Sequence, residues 1–199
     1  MQPLTLHSGR AISLPRDDVD TDQIVPAEFC KRLEKSGFQD ALFAAWRTDP
    51  GFPLNDPARQ EATILVAARN FGTGSSREHA VWALRDWGFR AVVASSFGDI
   101  FRRNALKNGV LPVELPDRAV QDLTSRVAAD PEFEITVDLE ACELRTAGRT
   151  YSFEVDPRAR WSLLNGHDDI SLTLACDTDI STYERTRPRW LPRTDTAHV

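Results

Sequence analysis

The sequence predicts an α/β fold in which a small parallel core sheet is extended by added antiparallel strands. Two observations carry this prediction. Short apolar runs at 64–68 and 91–94 flank a segment of helical periodicity, which is the pattern of a βαβ unit with parallel strands. Residues 134–155 instead alternate apolar and polar side chains around a glycine, which is typical of an antiparallel hairpin.

The composition is that of an ordinary globular domain, with 199 residues, 41% apolar and 27% charged. A chain of this length can bury roughly 70% of its unfolded surface, and we expect one domain over 1–193 and a loose tail at 194–199. The 24 basic and 30 acidic residues give a net charge of −6, which argues against a nucleic-acid partner. No apolar run approaches the roughly 20 residues of a membrane span, so we expect no membrane contact and a cytoplasmic location.

The N-terminal part predicts little regular structure. Residues 1–14 indicate a short strand, a Ser-Gly turn and a second strand, and an acidic loop follows at 15–26. Apolar side chains at helical spacing across 27–47 predict two short helices broken by Gly37. Residues 48–60 are rich in Pro and Asp and predict a loop.

The central part is the most regular. The run at 64–68 predicts a strand buried on both faces, the segment 77–87 predicts a helix closed by Gly88, and 91–94 predicts the second strand. Three more elements are predicted after it, namely a helix at 97–107, a short strand at 110–111 and a helix at 117–129.

The C-terminal third changes character. The alternation across 134–155 predicts antiparallel strands with a turn at Gly148. A short helix is predicted at 156–165, ended by Gly166. The residues past Pro188 are rich in Pro, Arg and Thr and are expected to be loose.

The glycine-rich turn at 72–79, with the sequence GTGSSREH, is the most informative segment. It lies between a buried strand and a helix N-terminus, where free backbone N–H groups and the helix dipole favour an anion. Gly72 and Gly74 allow the backbone to approach a ligand closely. Arg77 adds a guanidinium suited to a planar carboxylate. These features predict an anion site.

Two common anion motifs do not fit this turn. In G-x-G-x-x-G the third glycine position is Arg77, and no Gly-Lys-Ser/Thr follows, so a small carboxylate or a less stereotyped phosphate remains. A competing interpretation is structural. The spacing of Ser75 and Glu78 matches a capping box, in which the serine only caps the helix.

Several motifs in one order give the chain a family resemblance. The segments NFGTGSSREHAVWAL and SFGDIFRRNALKNGVLPV resemble the small subunit of 3-isopropylmalate dehydratase, which corresponds to the mobile C-terminal domain of aconitase. The segments DVDTDQIVP and LLNGHDDISLTL are also similar to that family. The resemblance runs from about residue 4 to about residue 193. It implies a swivelling β/β/α domain.

The resemblance also implies a reaction. Enzymes of this kind are hydro-lyases that convert 2-isopropylmalate to 3-isopropylmalate in leucine biosynthesis, by dehydration to isopropylmaleate and rehydration. The small subunit would act only in a heterodimer with a large subunit that holds a [4Fe–4S] cluster. The three cysteines of this chain lie far apart and form no C-x-x-C, so we expect no cofactor or metal ligands here and place the cluster in the partner; they are Cys30, Cys142 and Cys176.

The resemblance and the chemistry together assign roles in the turn. Ser75 is the expected base, Ser76 a supporting hydrogen-bond donor and Arg77 the clamp on a substrate carboxylate. A serine hydroxyl becomes basic only where fixed dipoles and a cation stabilise the alkoxide in a dry site. Gly74 and Thr73 are expected to border the bound dicarboxylate.

Other candidates lie outside the turn. The resemblance places Asp22 near the active site, orienting a basic group, although turn chemistry would also explain it. Phe29 or Leu33 is the expected contact for an isopropyl group. We expect His79 to hold the loop, and the sequence gives no physical account of His167.

Three alternatives stay open on the sequence alone. The same chemistry could act on a related malate, such as 2-methylmalate/citraconate or homoaconitate. The turn could instead belong to a non-catalytic module that binds small anions. Finally, the chain could be a structural α/β domain in which Ser75 is only a helix cap.

Overall fold

The computed structural model describes residues 1–188 and 190–192. Its strands are β1 (Leu6–Leu14), β2 (Ile64–Ala67), β3 (Ala91–Ala94), β4 (Leu111–Glu114), β5 (Glu134–Asp138), β6 (Glu143–Thr146) and β7 (Arg149–Ser152). Its α-helices are α1 (Thr21–Ile24), α2 (Glu78–Trp87), α3 (Asp99–Lys107), α4 (Asp117–Ala129), α5 (Pro157–Asn165), α6 (Asp169–Leu174) and α7 (Asp177–Thr186). The strands form one seven-stranded sheet in the order β4-β3-β2-β1-β5-β6-β7. The predicted α/β class is therefore confirmed.

The first half of the sheet is parallel. β1 pairs with β2, β2 with β3 and β3 with β4, and α2 and α3 are the crossovers of the two βαβ units. Side chains alternate between two apolar cores. Leu65 and Val92 belong to the core that also contains residues of α2 and α3, while Val66 lies in the core under α4. Both faces of these strands are covered, which explains their uninterrupted apolar sequence.

The second half is antiparallel. β5 pairs with β1, β6 with β5 and β7 with β6, so β1 joins the two halves. The turn between β6 and β7 contains Gly148 at φ +83°, a left-handed conformation that favours glycine. The predicted hairpin is confirmed, and β5 adds a third strand to it.

The predicted Ser-Gly turn within residues 1–14 is wrong, because β1 runs straight through Ser8 and Gly9. A Cβ atom on Gly9 would lie 2.0 Å from Oγ1 of Thr63. The glycine therefore permits a close approach of two chain segments within the sheet. In the sequence, such a glycine looks the same as one that forms a turn.

The two short helices predicted across 27–47 are also wrong. This described stretch contains 3-10 turns at Ala27–Lys31 and Trp46–Thr48, with irregular turns between them. Its buried side chains reach the core. Several of its amides form local turn bonds, and two bond to distant partners. Phe38 donates to Oδ2 of Asp86 at 3.0 Å and Phe43 donates to the carbonyl of Ile24 at 2.7 Å. Isolated turn bonds and these two tertiary bonds take the place of a continuous helical ladder.

The loop predicted at 15–26 is wrong in part, because it contains the short helix α1, whereas the other predicted strands and helices lie close to their observed positions. The strand predicted at 110–111 begins one residue later and extends to Glu114. It tolerates Pro112 because β4 forms an edge of the sheet over the described residues. The sequence did not predict α6 and α7, whose described residues include no buried side chain. Most of the expected loose tail, including 194–199, lies outside the described residues.

Candidate active site

Three loops meet at the carboxyl ends of β1, β2 and β3, which share one edge of the parallel sheet. The loop after β2 carries the glycine-rich turn. Gly72 donates to the carbonyl of Val19 at 2.8 Å, and Phe71 donates to the carbonyl of Ser96 at 3.0 Å. Ligands of open α/β sheets commonly bind in the crevice outside the carboxyl ends of the strands. The turn is held at that edge.

Two glycines make the contact between the β2 and β3 loops possible. A Cβ atom on Gly98 would lie 2.5 Å from the carbonyl oxygen of Gly72. Gly72 has φ +75°, and its own Cβ would lie 2.2 Å from Cγ of Phe101. The turn therefore keeps its path only because neither position carries a side chain. The sequence pattern indicates Gly72 but not Gly98, because the constraint on Gly98 is a contact between distant segments.

The turn presents its polar groups to solvent. Gly74, Ser75 and Ser76 are exposed, Thr73 is half-buried and the side chain of Arg77 is 24% exposed. Within the described residues, no protein acceptor bonds to the backbone N–H groups of Gly74, Ser75 or Ser76. The turn thus has free amide donors beside a guanidinium, which is an arrangement that can receive an anion.

The helix after the turn begins later than the capping interpretation requires. α2 starts at Glu78 with Arg77 at its N-cap position, and no side-chain cap bond occurs there among the described residues. Oε1 of Glu78 accepts a hydrogen bond from Nδ2 of Asn108 at 2.9 Å. The Ser75 capping box is therefore wrong. The hydroxyl of Ser75 is left available for a ligand.

Asp22 and Arg77 are brought together although 55 positions separate them. Nη1 of Arg77 donates to Oδ1 of Asp22 in an ion pair. Asp22 lies on α1, which follows the β1 loop, and its side chain is 49% exposed. One guanidinium nitrogen is engaged, and the orientation of the group is fixed with its remaining N–H donors still available.

Thr21, the residue before Asp22, bonds to the backbone of the turn on its buried side. Thr21 is buried, with 2% of its surface exposed. Its amide donates to the carbonyl of Thr73 at 3.0 Å, and its Oγ1 donates to the carbonyl of Ser75 at 2.8 Å. Asp20 forms a capping box with Gln23 in α1. The sequence pattern does not indicate Thr21, because an Asp-Thr-Asp segment is typical of a solvated turn and only the burial of the threonine distinguishes it.

Phe29 and Leu33 lie on the irregular segment that follows. Phe29 is half-buried against the apolar core, with the guanidinium carbon of Arg32 4.9 Å from its ring centre. Leu33 is 95% exposed. The segment is fastened to α2, because Phe38 donates to Asp86 and Arg85 donates to the carbonyl of Lys35. The hydrogen bonds of the turn involve neither residue, and their contact with an isopropyl group stays a prediction.

His79 packs beside the turn. Its ring lies 5.4 Å from that of Phe38 and 4.7 Å from that of Trp82. Burial, reinforced by the charge of Arg77, lowers the pKa of His79, so the ring is neutral at pH 7. These ring contacts are with the irregular segment and with its own helix, and Nδ1 of His79 has no partner among the described residues, so its role of holding the loop stays a prediction. His167 lies elsewhere, stacked 5.1 Å from Trp161 at the end of α5.

Residues 1–188 and 190–192 contain neither a metal-binding cluster nor a membrane-spanning helix. No three His, Cys, Asp or Glu side chains of this part of the chain gather into a metal site. Cys30 and Cys142 are half-buried and Cys176 is exposed. No helix in the same part of the chain is both long enough and apolar enough to cross a bilayer.

Two protein-family models match this chain. Residues 1–118 match the family model described as the aconitase C-terminal domain, and residues 121–157 match a second model described as LeuD_N. The mixed sheet, with its glycine-rich turn at the carboxyl edge, is therefore a domain of the aconitase C-terminal class.

Closer relatives narrow this class. The chain is 58% identical to a 3-isopropylmalate dehydratase small subunit from a Parafrankia species, over 98% of this chain and 100% of the relative. It is 57% identical to the Streptomyces coelicolor small subunit, over 98% of each. A Methanocaldococcus jannaschii 3-isopropylmalate dehydratase crystal structure matches with a TM-score of 0.69 and 27% identity, covering 89% of this chain and 99% of that one. The chain belongs to the 3-isopropylmalate dehydratase small-subunit family.

Proposed function

We propose that this chain is the small subunit of a hydro-lyase that isomerises 2-isopropylmalate to 3-isopropylmalate through isopropylmaleate in leucine biosynthesis. Family membership supports the reaction. The observation in this chain that carries the proposal is the exposed turn of Ser75, Ser76 and Arg77, with Arg77 held by Asp22. We expect this small subunit to work in the cytoplasm, and no described helix could span a membrane.

Arg77 and the free amides of the turn bind the substrate. A substituted malate carries two carboxylates, and a guanidinium donates two parallel hydrogen bonds to one of them. Asp22 fixes the orientation of the guanidinium before substrate arrives, which reduces the cost of ordering it on binding. The hydroxyl of Ser76 and the half-buried Thr73 border the same position.

Ser75 supplies the base. Dehydration removes a proton from the carbon next to a carboxylate and a hydroxyl from the neighbouring carbon, and rehydration returns both at exchanged positions. Free amides and the guanidinium beside Ser75 favour its alkoxide, but water would screen them. The exposed turn must therefore be covered by another surface before Ser75 is effective as a base.

The large subunit is the proposed cover and the proposed carrier of the iron–sulfur cluster. The described part of this chain offers no cluster ligands, because no set of three Cys, His, Asp or Glu side chains converges there. The residues present do not fit a [4Fe–4S] group, and no step assigned to this chain passes through one. The small subunit contributes the base and the carboxylate clamp, and the partner completes the site.

Substrate choice rests on the irregular segment. Phe29 and the exposed Leu33 are apolar surfaces that could contact an isopropyl group, and a methylene in such a contact is worth about 1–3 kcal/mol of discrimination. We therefore favour 2-isopropylmalate over 2-methylmalate or homoaconitate as the substrate.

Co-expression with a large subunit tests the proposal. The purified complex is assayed with 2-isopropylmalate, 2-methylmalate and homoaconitate, and the isolated small subunit serves as the control. We expect turnover only by the complex, with the highest kcat/KM for 2-isopropylmalate. Tight binding of 2-isopropylmalate by the isolated chain, with no turnover by the complex, would instead establish a non-catalytic anion-binding module.

A further inference from the structure

Thr21 fixes the orientation of two peptide groups in the glycine-rich turn. Its amide bonds the carbonyl of Thr73 at 3.0 Å and its hydroxyl bonds the carbonyl of Ser75 at 2.8 Å. The amide of Arg77 also donates to the Ser75 carbonyl, at 2.8 Å. Both carbonyls are therefore turned inward, towards α1 and the core.

The inward carbonyls determine where the amides point. In a trans peptide the C=O and the following N–H are directed to opposite sides. With the carbonyl of Thr73 turned towards Thr21, the N–H of Gly74 is turned away from it, and the same holds for the N–H of Ser76. Within the described residues neither N–H has a protein acceptor. Two amide donors are thus aimed out of the turn.

We propose that Thr21 is a positioning residue, which keeps the N–H groups of Gly74 and Ser76 directed at a carboxylate of the bound dicarboxylate. This inference rests on the proposed function and deepens it. The two amides bind the anion together with Arg77, while Thr21 touches only the turn. An anion held by convergent backbone amides and a guanidinium needs those amides fixed beforehand.

The neighbours of Thr21 cannot take over this role. Asp20 is engaged as the cap of α1, and Asp22 is engaged by Arg77. The carbonyl of Thr21 accepts the amide of Val25 at 2.9 Å, so the residue is fixed in its own helix. Because Thr21 is buried, water does not compete for its hydroxyl. Removal of the hydroxyl leaves the Ser75 carbonyl with the amide of Arg77 as its remaining described donor, so the Ser75 peptide is held less firmly.

The backbone conformation of the turn agrees with such a clamp. Gly74 has φ +86°, and a Cβ there would lie 3.3 Å from Cβ of Asp20. The turn is pressed against the segment that contains Thr21, closer than most side chains would allow. Gly74 permits this close approach, and the approach brings the Ser75 carbonyl within hydrogen-bonding distance of Thr21.

Three variants test the inference in the complex with the large subunit. Thr21→Val keeps the shape and removes the donor, and Thr21→Ser keeps the donor. Thr63→Val is the matched control, because Thr63 also uses its Oγ1, 2.8 Å from Nε2 of His7, but precedes β2 at the opposite end of the strand. Steady-state kinetics with 2-isopropylmalate give KM and kcat, and thermal unfolding reports the fold.

We expect Thr21→Val to raise KM about tenfold, the scale of a lost hydrogen bond to a charged group, with a smaller fall in kcat. Thr21→Ser should return KM to within about threefold of wild type, and Thr63→Val should leave KM unchanged. A KM within about twofold of wild type in a folded Thr21→Val complex contradicts the inference, as does an equal rise in Thr63→Val. If Thr21→Val does not fold, Thr21→Cys, a weak donor of similar size, takes its place and is judged by the same KM criterion.

A second readout does not depend on turnover. With only the small subunit labelled with nitrogen-15 in the complex, 2-isopropylmalate should shift the amide signals of Gly74 and Ser76 in wild type. In Thr21→Val the shift at Ser76 should be much smaller, whereas Gly74, whose preceding carbonyl is held by the backbone amide of Thr21, serves as the internal reference. Equal shifts at Ser76 in both proteins contradict the role of Thr21. Absence of turnover by a wild-type complex that shows these shifts contradicts the proposed reaction but supports the anion site.

Discussion

Two neighbouring segments build the candidate site in different ways. Residues 64–94 form the regular β2-α2-β3 unit and supply Ser75, Ser76 and Arg77. Residues 15–63 connect β1 to β2, and their single α-helix within this described stretch is the four-residue α1. The regular unit presents the reactive groups. The irregular segment holds them through side-chain and backbone hydrogen bonds.

The comparison shows that the site depends on the less regular segment. Thr21 and Asp22 fix the backbone and the guanidinium of the turn. In return α2 anchors the irregular segment, because Asp86 accepts the amide of Phe38. Variants on either side should therefore disturb the same site. Those that remove a group facing the substrate should have larger effects than those that loosen its support.

Arg77→Lys should have the largest effect of the supporting tests. A lysine cannot reproduce the bidentate geometry of a guanidinium, so we expect kcat/KM for 2-isopropylmalate to fall about 100-fold in the complex. Arg69→Lys is the control, since Arg69 pairs with Asp17 and Asp18 at 3.7 Å beside the turn and does not line it. Near-normal turnover by Arg77→Lys would refute the clamp.

Gly98→Ala should destabilise the contact between the β2 and β3 loops. The new methyl group would meet backbone atoms of Gly72, which cannot rotate away, so we expect a loss of about 1–3 kcal/mol in the free energy of unfolding. Gly51→Ala is the control, because its Cβ would meet only the Asp49 side chain, at 3.4 Å. Chemical denaturation measures both. Equal free energies of unfolding for Gly98→Ala and Gly51→Ala would contradict this prediction, because the two loops would then accommodate the new methyl group without cost.

Asp22→Asn should weaken the support of Arg77 without removing the guanidinium. We expect kcat/KM to fall about tenfold while the free energy of unfolding changes by less than about 1 kcal/mol, as is usual for an exposed ion pair. Asp17→Asn breaks a comparable exposed pair with Arg69 and should leave kinetics unchanged. A large loss of stability in Asp22→Asn would show that the ion pair between Asp22 and Arg77 chiefly stabilises the fold and does not chiefly support catalysis.

Of these variants, His79→Phe should have the smallest effect, which is a change in how the free energy of unfolding depends on pH. The pKa of His79 is lowered in the folded chain from its ordinary 6.5, chiefly by burial. As pH falls below about 6.5, the unfolded chain gains a proton at this site before the native chain does, so stability decreases. His79→Phe should make that decrease shallower in unfolding experiments at pH 7.5 to about 5.5. His7, whose pKa is also lowered by burial, should account for part of the remainder.

The sequence predicted the regular unit well because its signals are local. Buried strands read as apolar runs, and α2 ends at Gly88 in the left-handed conformation that its sequence position suggests. The turn of residues 72–77 followed from the same local signals. The family resemblance added Asp22, which is 55 positions from its partner.

The remaining features were not predictable because they depend on contacts between distant segments. Gly9 resembled a turn residue, yet it accommodates Thr63. The stretch 27–47 has helical spacing but forms only isolated turns, and the amides of Phe38 and Phe43 bond to acceptors outside the stretch. Thr21 reads as a polar loop residue until its burial is known.

Ser75→Ala in the purified complex tests the central claim most directly. Since α2 begins at Glu78 and Ser75 forms no cap bond in the described structure, the variant should assemble and unfold as wild type does. We expect its kcat for 2-isopropylmalate to fall by on the order of 1,000-fold, within the range for loss of a general base. A variant that keeps near wild-type kcat, or that loses about 1 kcal/mol of stability with activity intact, would contradict the account.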